Sequence, residues 1–423
     1  MDASRAPVIV GAGQVNDRDD RLDPIELMRV ALQRADADGG GGWLACIDTL
    51  DVVAQLSFPE FADASAPLAQ RLGIAPRHCA QTRYPMGDSP GALLDAAAQR
   101  IANGEANVCA IAGGEALRTA AKRAAGKRDA VRDSATRATR ATRPGRERYG
   151  LVAPTDIYPL YENAARSAWG QSFAQAQAES AAIWARFSEI AARNENAWLR
   201  DVRTAEDILT VTPDNRLIAF PYTKLMVANA SVNQGAGFIV TSLAAARSMG
   251  VNEANLVYVG AGVSAREPGD PLARETLHHS PTLDWTLQTT VQSNGLTTDA
   301  LDYVELYSCF PCMPKLARRA IGWPLDKPMS VAGGLTFGGG PVGNYMSHAI
   351  AAMTQSLRAG GAHGLLFGNG GLATTSHAII LSRDPAIAMR PRAAPSFNAV
   401  RAPVAQTETY EGEAVIETYT VFY

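Results

Sequence analysis

One short motif occurs twice in this chain, and the repeat restricts the folds that the chain can adopt. Residues 8–13 read VIVGAG, and residues 257–262, about 250 positions later, read VYVGAG. Apolar, β-branched runs that end in glycines are typical of buried parallel strands that enter a turn. Other pairs keep nearly the same separation, namely Gly91 with Gly343 and residues 112–113 with residues 367–368. The spacing predicts two copies of one α/β unit, since the period is too long for a solenoid.

The composition places the chain among large globular proteins. At 423 residues it can bury a sizeable core and form more than one domain. A hydrophobic content of 47%, a charged content of 19% and a net charge of −3 argue against disorder and against general nucleic-acid binding. Five cysteines, the lack of a signal peptide and the lack of an apolar run near the ~20 residues of a membrane span predict a soluble, cytoplasmic protein.

Two familiar ligand motifs are incomplete in this sequence. Gly11 and Gly13 follow a strand pattern, but the third glycine of a dinucleotide-binding fingerprint is missing. Cys309 and Cys312 form a C-x-x-C without a second pair, which disfavours a zinc site. The sequence therefore predicts neither a dinucleotide site nor a metal site.

The loop before an early helix is a first candidate substrate site. Residues 83–91 read RYPMGDSPG and precede a predicted helix over residues 92–102. Asp88 or Ser89 is expected to cap that helix, because short polar side chains accept hydrogen bonds from its first free N–H groups. Ser89 could also serve as a nucleophile, but no histidine base accompanies it in the sequence.

A second candidate site lies where an apolar strand meets a turn after residue 306. Tyr307 and Cys309 lie on this turn, and both side chains can donate or accept protons. The alternative is structural, with Tyr307 as a core aromatic residue and Cys309 as a small buried hydrophobic residue. Two ionisable groups on one strand-end turn favour a functional role.

The segment that follows this turn is rich in glycine and opens another helix. Residues 333–343 let backbone N–H groups approach a ligand, and the helix N-terminus favours negative charge. Tyr345 and His348 lie three residues apart on this helix and therefore share one face. Either could reach back toward the turn, although a lone helical histidine can equally be structural.

The order of these motifs over residues 6–385 resembles the thiolase superfamily. Similar proteins include the thiolase-like proteins labelled acetyl-CoA acetyltransferases, the sterol-carrier-type thiolases and the thiolase-like aldolases. The resemblance implies an α/β fold of two duplicated halves that form a layered αβαβα core with an inserted loop domain. The implied units are residues 1–116 with 219–248, the loop domain 117–218, the second half 249–385, and a linker and strand at 386–423.

The resemblance also shows where the sequence departs from the family. The nucleophilic cysteine of thiolases is expected at Gly87 or Asp88, and the loop contains no cysteine. The histidine of the family's G-H-P-x-G motif is missing from residues 339–343, and the cysteine of its C-x-G motif is missing from residues 367–371. Transfer through a cysteine-bound acyl group is therefore not expected.

The same comparison assigns roles to the remaining side chains. Tyr307 takes the place of the residue that helps to hold the thioester oxygen, and Cys309 matches the acid/base cysteine of the sterol-carrier type. The implied catalytic residues are Tyr307, Cys309, Tyr345 and His348. The implied substrate-binding residues are Gly87, Asp88, Ser89, Gly339, Gly340, Asn344, Gly368, Asn369 and Gly370.

The implied function is an acyltransferase-like enzyme that acts on acyl-CoA thioesters and makes or breaks a C–C bond. Without the cysteine, a retro-aldol or direct Claisen-type step fits better than an acyl-enzyme. Coenzyme A would enter as the thioester substrate, with no covalently bound cofactor. The alternative is a non-catalytic protein that binds acyl-CoA or acts as the scaffold of a complex. The family also implies a homodimer.

Two further segments carry predictions of their own. Residues 118–148 are rich in arginine and lysine, and they form either a solvated loop or a docking surface for the phosphates of coenzyme A. Residues 414–423 alternate like a strand but have no partner strand in the sequence. Because an unpaired strand risks aggregation, we predict that it pairs with another chain, such as a small β-barrel partner, or with the body of the protein.

Overall fold

The computed structural model describes residues 2–125, 145–392, 397, 403–407 and 409–423. Much of the basic segment predicted at 118–148 lies outside these ranges. The strands are β1 Pro7–Asn16, β2 Thr49–Val52, β3 His78–Gln81, β4 Val108–Ala116, β5 Leu217–Ala219, β6 Tyr222–Thr223, β7 Asn233–Ser242, β8 Val257–Arg266, β9 Tyr303–Leu306, β10 His363–Gly370 and β11 Thr375–Ser382. The α-helices are α1 Pro24–Asp38, α2 Ser65–Leu72, α3 Ser89–Asn103, α4 Leu117–Ala125, α5 Pro154–Ala168, α6 Phe173–Arg193, α7 Ala205–Leu209, α8 Leu243–Ser248, α9 Pro281–Ser293, α10 Cys312–Ile321 and α11 Tyr345–Ala359.

Nine strands form one mixed sheet in the order β3-β2-β4-β7-β1-β8-β11-β10-β9. The two halves of the sheet join at β1 and β8, which pair only through Val8 with Tyr258 and Ile9 with Val257. This short antiparallel contact connects the strands of the two halves into one sheet. The two strands that carry the repeated motif are therefore neighbours at the centre of the sheet.

The strand pairing confirms the predicted duplication. In the first half, β2 is parallel to β4, and β4 and β1 are both antiparallel to β7. In the second half, β9 is parallel to β10, and β10 and β8 are both antiparallel to β11. The pairing register shifts once in each copy, between Ile9 and Gly11 in β1 and opposite residues 259–262 of β8. The first half has one further strand, β3, at its edge.

The helices complete a layered αβαβα arrangement, as predicted. Helix α1 packs on β1, β4 and β7, and α9 packs on β8 and β11. Helices α3 and α11 pack against each other and against strands of both halves, so they form the central layer. Asp23 accepts a hydrogen bond from the Glu26 N–H at 2.8 Å, which confirms its predicted role as the cap of α1.

A buried ion pair holds the inserted segment against the second half. Lys315 on α10 lies 2.5 Å from Glu162 on α5, and both side chains are almost fully buried. The Tyr222 hydroxyl donates to the same carboxylate at 3.1 Å, and Lys315 also donates to the Ala176 carbonyl at 2.9 Å. Buried charges need this degree of pairing, so the contact fixes α5 on the core. The proposed boundaries of the loop domain remain a prediction.

The C-terminal segment does not form the predicted strand. Residues 414–423 are extended, and their strand pairing is a single antiparallel bridge between Phe422 and Ala219. The Phe220 N–H donates to the Val421 carbonyl at 2.9 Å, and the Tyr419 ring stacks on Phe220 at 5.6 Å. The segment therefore lies on the body of its own chain, one of the two outcomes expected, but most of its backbone does not join a ladder.

Candidate active site

The candidate site lies at the carboxyl ends of β9 and β10, which are adjacent because the two strands are parallel. Tyr307 directly follows β9, and its backbone N–H donates to the Phe367 carbonyl at 3.2 Å. Helix α3 starts over the end of β10, where a Cβ atom added to Gly368 would lie 2.8 Å from the Asp88 Cα. The glycines of β10 thus let a helix of the first half rest on a strand of the second half.

Gly87 is one of the two positions, with Asp88, at which the family resemblance predicts the nucleophilic cysteine. A Cβ atom added to Gly87 would overlap both the Tyr307 hydroxyl and the Asn369 carbonyl oxygen. Burial raises the pKa of Tyr307 well above its usual value, and the charges of Cys309 and Asp88 act in the same direction. Tyr307 therefore fills the space of a residue-87 side chain with a neutral phenol. Its hydroxyl has no hydrogen-bond partner among the residues that the structure describes.

Asp88 precedes the first residue of α3 but does not cap it, so the predicted capping role is wrong. Its side chain accepts no hydrogen bond from the helix N–H groups. The carboxylate turns instead toward β10 and β11, where it lies over Gly370 beside the Thr375 hydroxyl. Burial raises the pKa of the Asp88 carboxyl, while Thr375, His377 and Arg266 lower it to a smaller extent. Asp88 is half-buried, whereas Tyr307 and Cys309 at the same strand end are buried.

Ser89 is the first residue of α3 and contributes its backbone to the loop. Its N–H donates to the Met86 carbonyl at 3.0 Å, which closes the turn before the helix. His377 on β11 lies against Gly91, the third residue of α3. Its Nδ1 atom is 2.7 Å from the Ser264 hydroxyl, and burial lowers its pKa. This histidine is therefore neutral near pH 7.

Cys309 lies in an aromatic pocket that also contains Tyr158, a residue that the sequence analysis did not select. Burial raises the pKa of the Cys309 thiol to about 12, although the nearby Tyr158 hydroxyl lowers it in part. The Tyr158 ring stacks on Phe310 with centroids 4.5 Å apart. The thiol is therefore protonated near pH 7 and is not a ready nucleophile.

The Tyr158 hydroxyl connects α5 to β10. It accepts hydrogen bonds from Asn369 Nδ2 at 2.8 Å and from the Ala373 N–H at 3.1 Å. Asn369 is thereby held by a side chain from the inserted segment. No sequence motif points to Tyr158. Its hydrogen-bond partners Cys312 and Asn369 are about 150 and 210 positions away in the chain, and only the tertiary structure brings them together.

Tyr345 is close to Tyr307 but is already engaged. Their rings meet edge to face with centroids 6.0 Å apart. The Tyr345 hydroxyl donates to Glu305 at 2.8 Å, and the same carboxylate accepts from the Ser330 hydroxyl at 2.8 Å and the Val331 N–H at 2.9 Å. Burial raises the pKa of Glu305 despite these donors. Tyr345 thus belongs to a closed hydrogen-bond network beneath Tyr307.

His348 and Asn344 face the first half of the sheet rather than the Tyr307 turn. His348 Nδ1 is 2.9 Å from Gln14 Oε1 on β1, and burial lowers the pKa of His348 to about 3. Asn344 lies over Gly113 on β4, where an added Cβ atom would overlap its Oδ1 atom. The neutral His348 is therefore placed as a structural residue, and a proton-transfer role for it has no geometric support.

The glycines before α11 are in a tight, buried turn. The Gly340 N–H donates to the Asn229 carbonyl at 2.8 Å, and a Cβ atom on Gly339 would overlap the Gln234 side chain. The Gly340 N–H is consequently occupied by the protein itself. The substrate-binding role implied for both residues remains a prediction.

A cavity of about 930 Å³ lies beside the site and is lined by both charged and apolar side chains. Arg118, Arg203 and Lys224 supply positive charge. At its inner end, the Ala228 N–H donates to the Cys309 carbonyl at 3.0 Å. Neither Tyr307 nor Asp88 lines this cavity, so a layer of backbone separates it from the turn. Glu206, Asp207 and Asp214 also line it, so positive and negative side chains are balanced. Its volume and its mixture of charged and apolar surface suit a large ligand.

Other classes of site find little support. Among the described residues, no group of histidine, cysteine or acidic side chains could hold a metal ion. None of the described helices is long and apolar enough to cross a bilayer.

Comparison with solved structures identifies several similar proteins. A monomeric SCP2-thiolase-like protein type 1 from Mycobacterium smegmatis is 31% identical, with a TM-score of 0.83, over 100% of this chain and 88% of that chain. The Ltp2–ChsH2(DUF35) aldolase is 17% identical with a TM-score of 0.68, over 90% of this chain and 99% of that chain. Human mitochondrial 3-ketoacyl-CoA thiolase in complex with CoA is 16% identical with a TM-score of 0.68, over 90% of this chain and 98% of that chain.

The two proteins below 20% identity share the fold, and the Mycobacterium protein is similar in sequence as well. No protein-family model matches the chain, and no curated protein matches it.

Proposed function

Because the chain belongs to the thiolase superfamily, among its SCP2-thiolase-like proteins, we propose that it binds acyl-CoA thioesters and makes or breaks a C–C bond beside the thioester carbonyl. The observation that carries this proposal is the unpaired Tyr307 hydroxyl over Gly87. A neutral phenol in this position can donate a hydrogen bond to a thioester oxygen as negative charge develops on it. The reaction then needs no covalent acyl-enzyme.

The 930 Å³ cavity is the proposed site of the coenzyme A moiety. Arg118 and Lys224 can pair with its phosphates, and Trp198 and Leu225 supply apolar surface for the rest of the chain. Ala228 connects the cavity to the Cys309 backbone, so the acyl end would pass this point to reach Tyr307. Human 3-ketoacyl-CoA thiolase, which shares the fold, has been solved in complex with CoA.

Cys309 and Tyr345 have supporting roles in this proposal. With its pKa raised to about 12, the Cys309 thiol can donate a weak hydrogen bond but is not a base near pH 7. The bond between Tyr345 and Glu305 fixes the ring that contacts Tyr307. Both residues therefore position the donor, and neither supplies a thiolate or phenolate.

The second candidate is a non-catalytic acyl-CoA-binding protein. Tyr307 and Cys309 are only 6% and 8% exposed, and burial raises the pKa of each. A protein that only binds the thioester would also show these features. The two candidates differ in whether Tyr307 is needed for turnover or for affinity.

Tyr307→Phe separates the candidates. We expect turnover with a panel of 3-hydroxyacyl-CoA and 3-oxoacyl-CoA thioesters to fall about 10²-fold, because one oxyanion donor is worth about this much. Calorimetric titration with coenzyme A should give an unchanged Kd, since the cavity is intact. Tyr84→Phe is the matched control, because this tyrosine is exposed on the loop before Gly87.

The outcomes distinguish all three possibilities. Turnover in the wild type that falls in Tyr307→Phe supports the enzyme. Tight binding without turnover in the wild type supports the second candidate. Failure to bind coenzyme A or any acyl-CoA contradicts both.

The quaternary structure and cellular location remain predictions. A homodimer was expected from the family, whereas the similar Mycobacterium protein is described as monomeric. The Ltp2–ChsH2(DUF35) aldolase contains a DUF35 partner, and we propose that the C-terminal segment could receive a partner of this type. Sedimentation of the purified chain, alone and with a candidate partner, measures both properties.

A further inference from the structure

We propose that Asp88 is the catalytic base of this site and that the substrate is a 3-hydroxyacyl thioester, cleaved by a retro-aldol reaction. This inference rests on the proposed acyl-CoA function and adds the proton acceptor and the substrate class to it. Its support is geometric: the Asp88 carboxylate and the Tyr307 hydroxyl approach the same short segment of β10, residues 369–370.

The Tyr307 hydroxyl and the Asp88 carboxylate approach neighbouring residues of β10, Asn369 and Gly370. The Tyr307 hydroxyl and the Asn369 carbonyl oxygen both occupy the space over Gly87, and Asp88 Oδ1 lies over the Cα of Gly370. Gly87 and Asp88 are neighbours in the chain, so the residue that lies against the Tyr307 hydroxyl is next to the residue that carries the carboxylate. The site thus presents a hydrogen-bond donor and a hydrogen-bond acceptor side by side.

Elimination of the other ionisable groups supports the assignment of Asp88. The His348 imidazole bonds to Gln14, the Glu305 carboxylate receives several donors, and the Cys309 thiol is protonated. Asp88 differs from these groups because its carboxylate is half-buried and accepts no hydrogen bond from α3. Its hydrogen-bonding neighbours among the described residues are the Thr375 hydroxyl and its own backbone N–H, so a ligand has fewer contacts to displace here than at Glu305.

A donor beside an acceptor favours one class of thioester. The Tyr307 hydroxyl can donate to the thioester oxygen, and the Asp88 carboxylate can accept from a hydroxyl on C3. A 3-oxoacyl thioester lacks that hydroxyl, and its cleavage needs a nucleophile that Gly87 cannot supply. A site built to bind a substrate hydroxyl discriminates strongly against the analogue that lacks it, because its acceptor is left unpaired.

The proton and the electron pairs balance without a co-reactant. Asp88 takes the proton from the C3 hydroxyl, the oxygen lone pair forms a carbonyl, and the C2–C3 bond breaks. The electrons of that bond form the thioester enolate, whose oxygen receives the hydrogen bond from Tyr307. Asp88 then returns its proton to C2, which gives a shortened acyl thioester and an aldehyde or ketone.

The surroundings of Asp88 raise the pKa of its carboxyl group, which makes the carboxylate a stronger base. Tyr307 faces it from the end of β9, His377 from β11 and Arg266 from β8. Burial raises its pKa, and the Thr375 hydroxyl, His377 and Arg266 only partly oppose this. A general base is most effective when its pKa approaches the working pH.

The reverse half-reaction gives a test that does not require the identity of the aldehyde. Acetyl-CoA incubated with the protein in D₂O should exchange its C2 protons, because Asp88 and Tyr307 together form the enolate. We expect Asp88→Asn to slow this exchange about 10²-fold or more. Glu105→Gln, an exposed carboxylate beyond the other end of α3, makes the same change in charge and should exchange like the wild type.

The pH profile and the substrate class complete the test. Exchange in the wild type should fall at low pH as Asp88 becomes protonated, and the residual rate of Asp88→Asn should lose this dependence. Carbon–carbon cleavage should be seen with 3-hydroxybutyryl-CoA or a longer 3-hydroxyacyl-CoA, and not with acetoacetyl-CoA plus coenzyme A.

Each outcome has one meaning. Exchange that persists in Asp88→Asn overturns the role of Asp88 but leaves the proposed function intact. Cleavage of acetoacetyl-CoA alone overturns the substrate class. Binding of acetyl-CoA without exchange in the wild type overturns the whole inference and supports the non-catalytic candidate, whereas loss of binding removes the proposed function itself.

Discussion

The two halves of the molecule build the same backbone arrangement twice and place different side chains on it. In the second half, the Tyr307 N–H donates to the Phe367 carbonyl at 3.2 Å, and in the first half the Val53 N–H donates to the Ala112 carbonyl at 2.8 Å. Tyr307 and Val53 each follow directly after a strand, β9 or β2. The strand ends are therefore equivalent in position and in hydrogen bonding.

A central helix from the opposite half also begins at each strand end. Asp88 precedes α3 and lies over Gly370, whereas Asn344 precedes α11 and lies over Gly113. The second-half site thus holds a phenol and a carboxylate, and its counterpart holds Val53 and an amide. The fold supplies two possible sites, and the ionisable residues at only one of them make it the candidate for chemistry.

We expect the largest loss of activity when both ionisable side chains of the second-half site are replaced by non-ionisable ones. The double variant Tyr307→Phe/Asp88→Asn should lose at least about 10²-fold of the proton exchange at acetyl-CoA. If the two groups act as one unit, the double variant should be little worse than the more damaging single variant. Measured losses that multiply would instead show that the two residues act independently.

Stability should depend on pH through two buried groups outside the second-half site, Glu115 on β4 and His348 on α11. Burial raises the pKa of Glu115 from 4.5 to about 7, so the folded state keeps a proton that the unfolded state loses. Its stabilising contribution is complete below pH 4.5 and is lost as the pH rises through about 7. The loss is about 3 kcal/mol, and Glu115→Gln should remove it in denaturant titrations at pH 5 and pH 8.

His348 makes stability depend on pH in the opposite direction to Glu115. Burial lowers its pKa from 6.5 to about 3, so the unfolded state binds a proton that the folded state does not. Its contribution is complete above pH 6.5 and is lost as the pH falls toward 3. His348→Gln should therefore flatten the acid side of the stability profile and leave the alkaline side unchanged. An unchanged acid side would show that His348 is solvated in the native state.

Glycine replacements compare how tightly the two sites are packed. Gly87→Ala should destabilise the protein by about 1–3 kcal/mol, because the new methyl group meets the Asn369 backbone as well as Tyr307. Gly113→Ala should lower the free energy of unfolding by less, because the new methyl group mainly meets the Asn344 side chain. That side chain has no hydrogen-bond partner among the described residues and can move aside. Gly269→Ala is the control, with nothing near the added atom. Equal losses at Gly87 and Gly113 would contradict this difference.

The smallest effect on turnover is expected from the C-terminal segment, which lies outside both halves. Deletion of residues 405–423 removes the stacking of Tyr419 on Phe220 and six hydrogen bonds to the body of the chain, each worth about 0.5–1.5 kcal/mol of stability, and should leave turnover unchanged. Val415 and Ile416 are 94% and 83% exposed, so their loss should not weaken the core. A collapse of solubility or a change in assembly on deletion would support pairing with another chain.

The sequence alone determined the repeated unit, because glycines after apolar strands form a local pattern that does not need distant partners. The layered fold followed from the resemblance of the ordered motifs to a family, and the loss of the cysteine nucleophile stays a prediction. The sequence also pointed to Tyr307 and Cys309, because they share one strand-end turn.

Only the tertiary structure decided which groups meet. It placed the Tyr307 hydroxyl over Gly87, turned Asp88 away from its helix, bonded His348 to Gln14 and brought Tyr158 to Asn369. Side-chain direction and burial depend on contacts between residues far apart in the chain, and the same contacts set the pKa values. The chemistry therefore could not be derived from residue order, although the scaffold that carries it could.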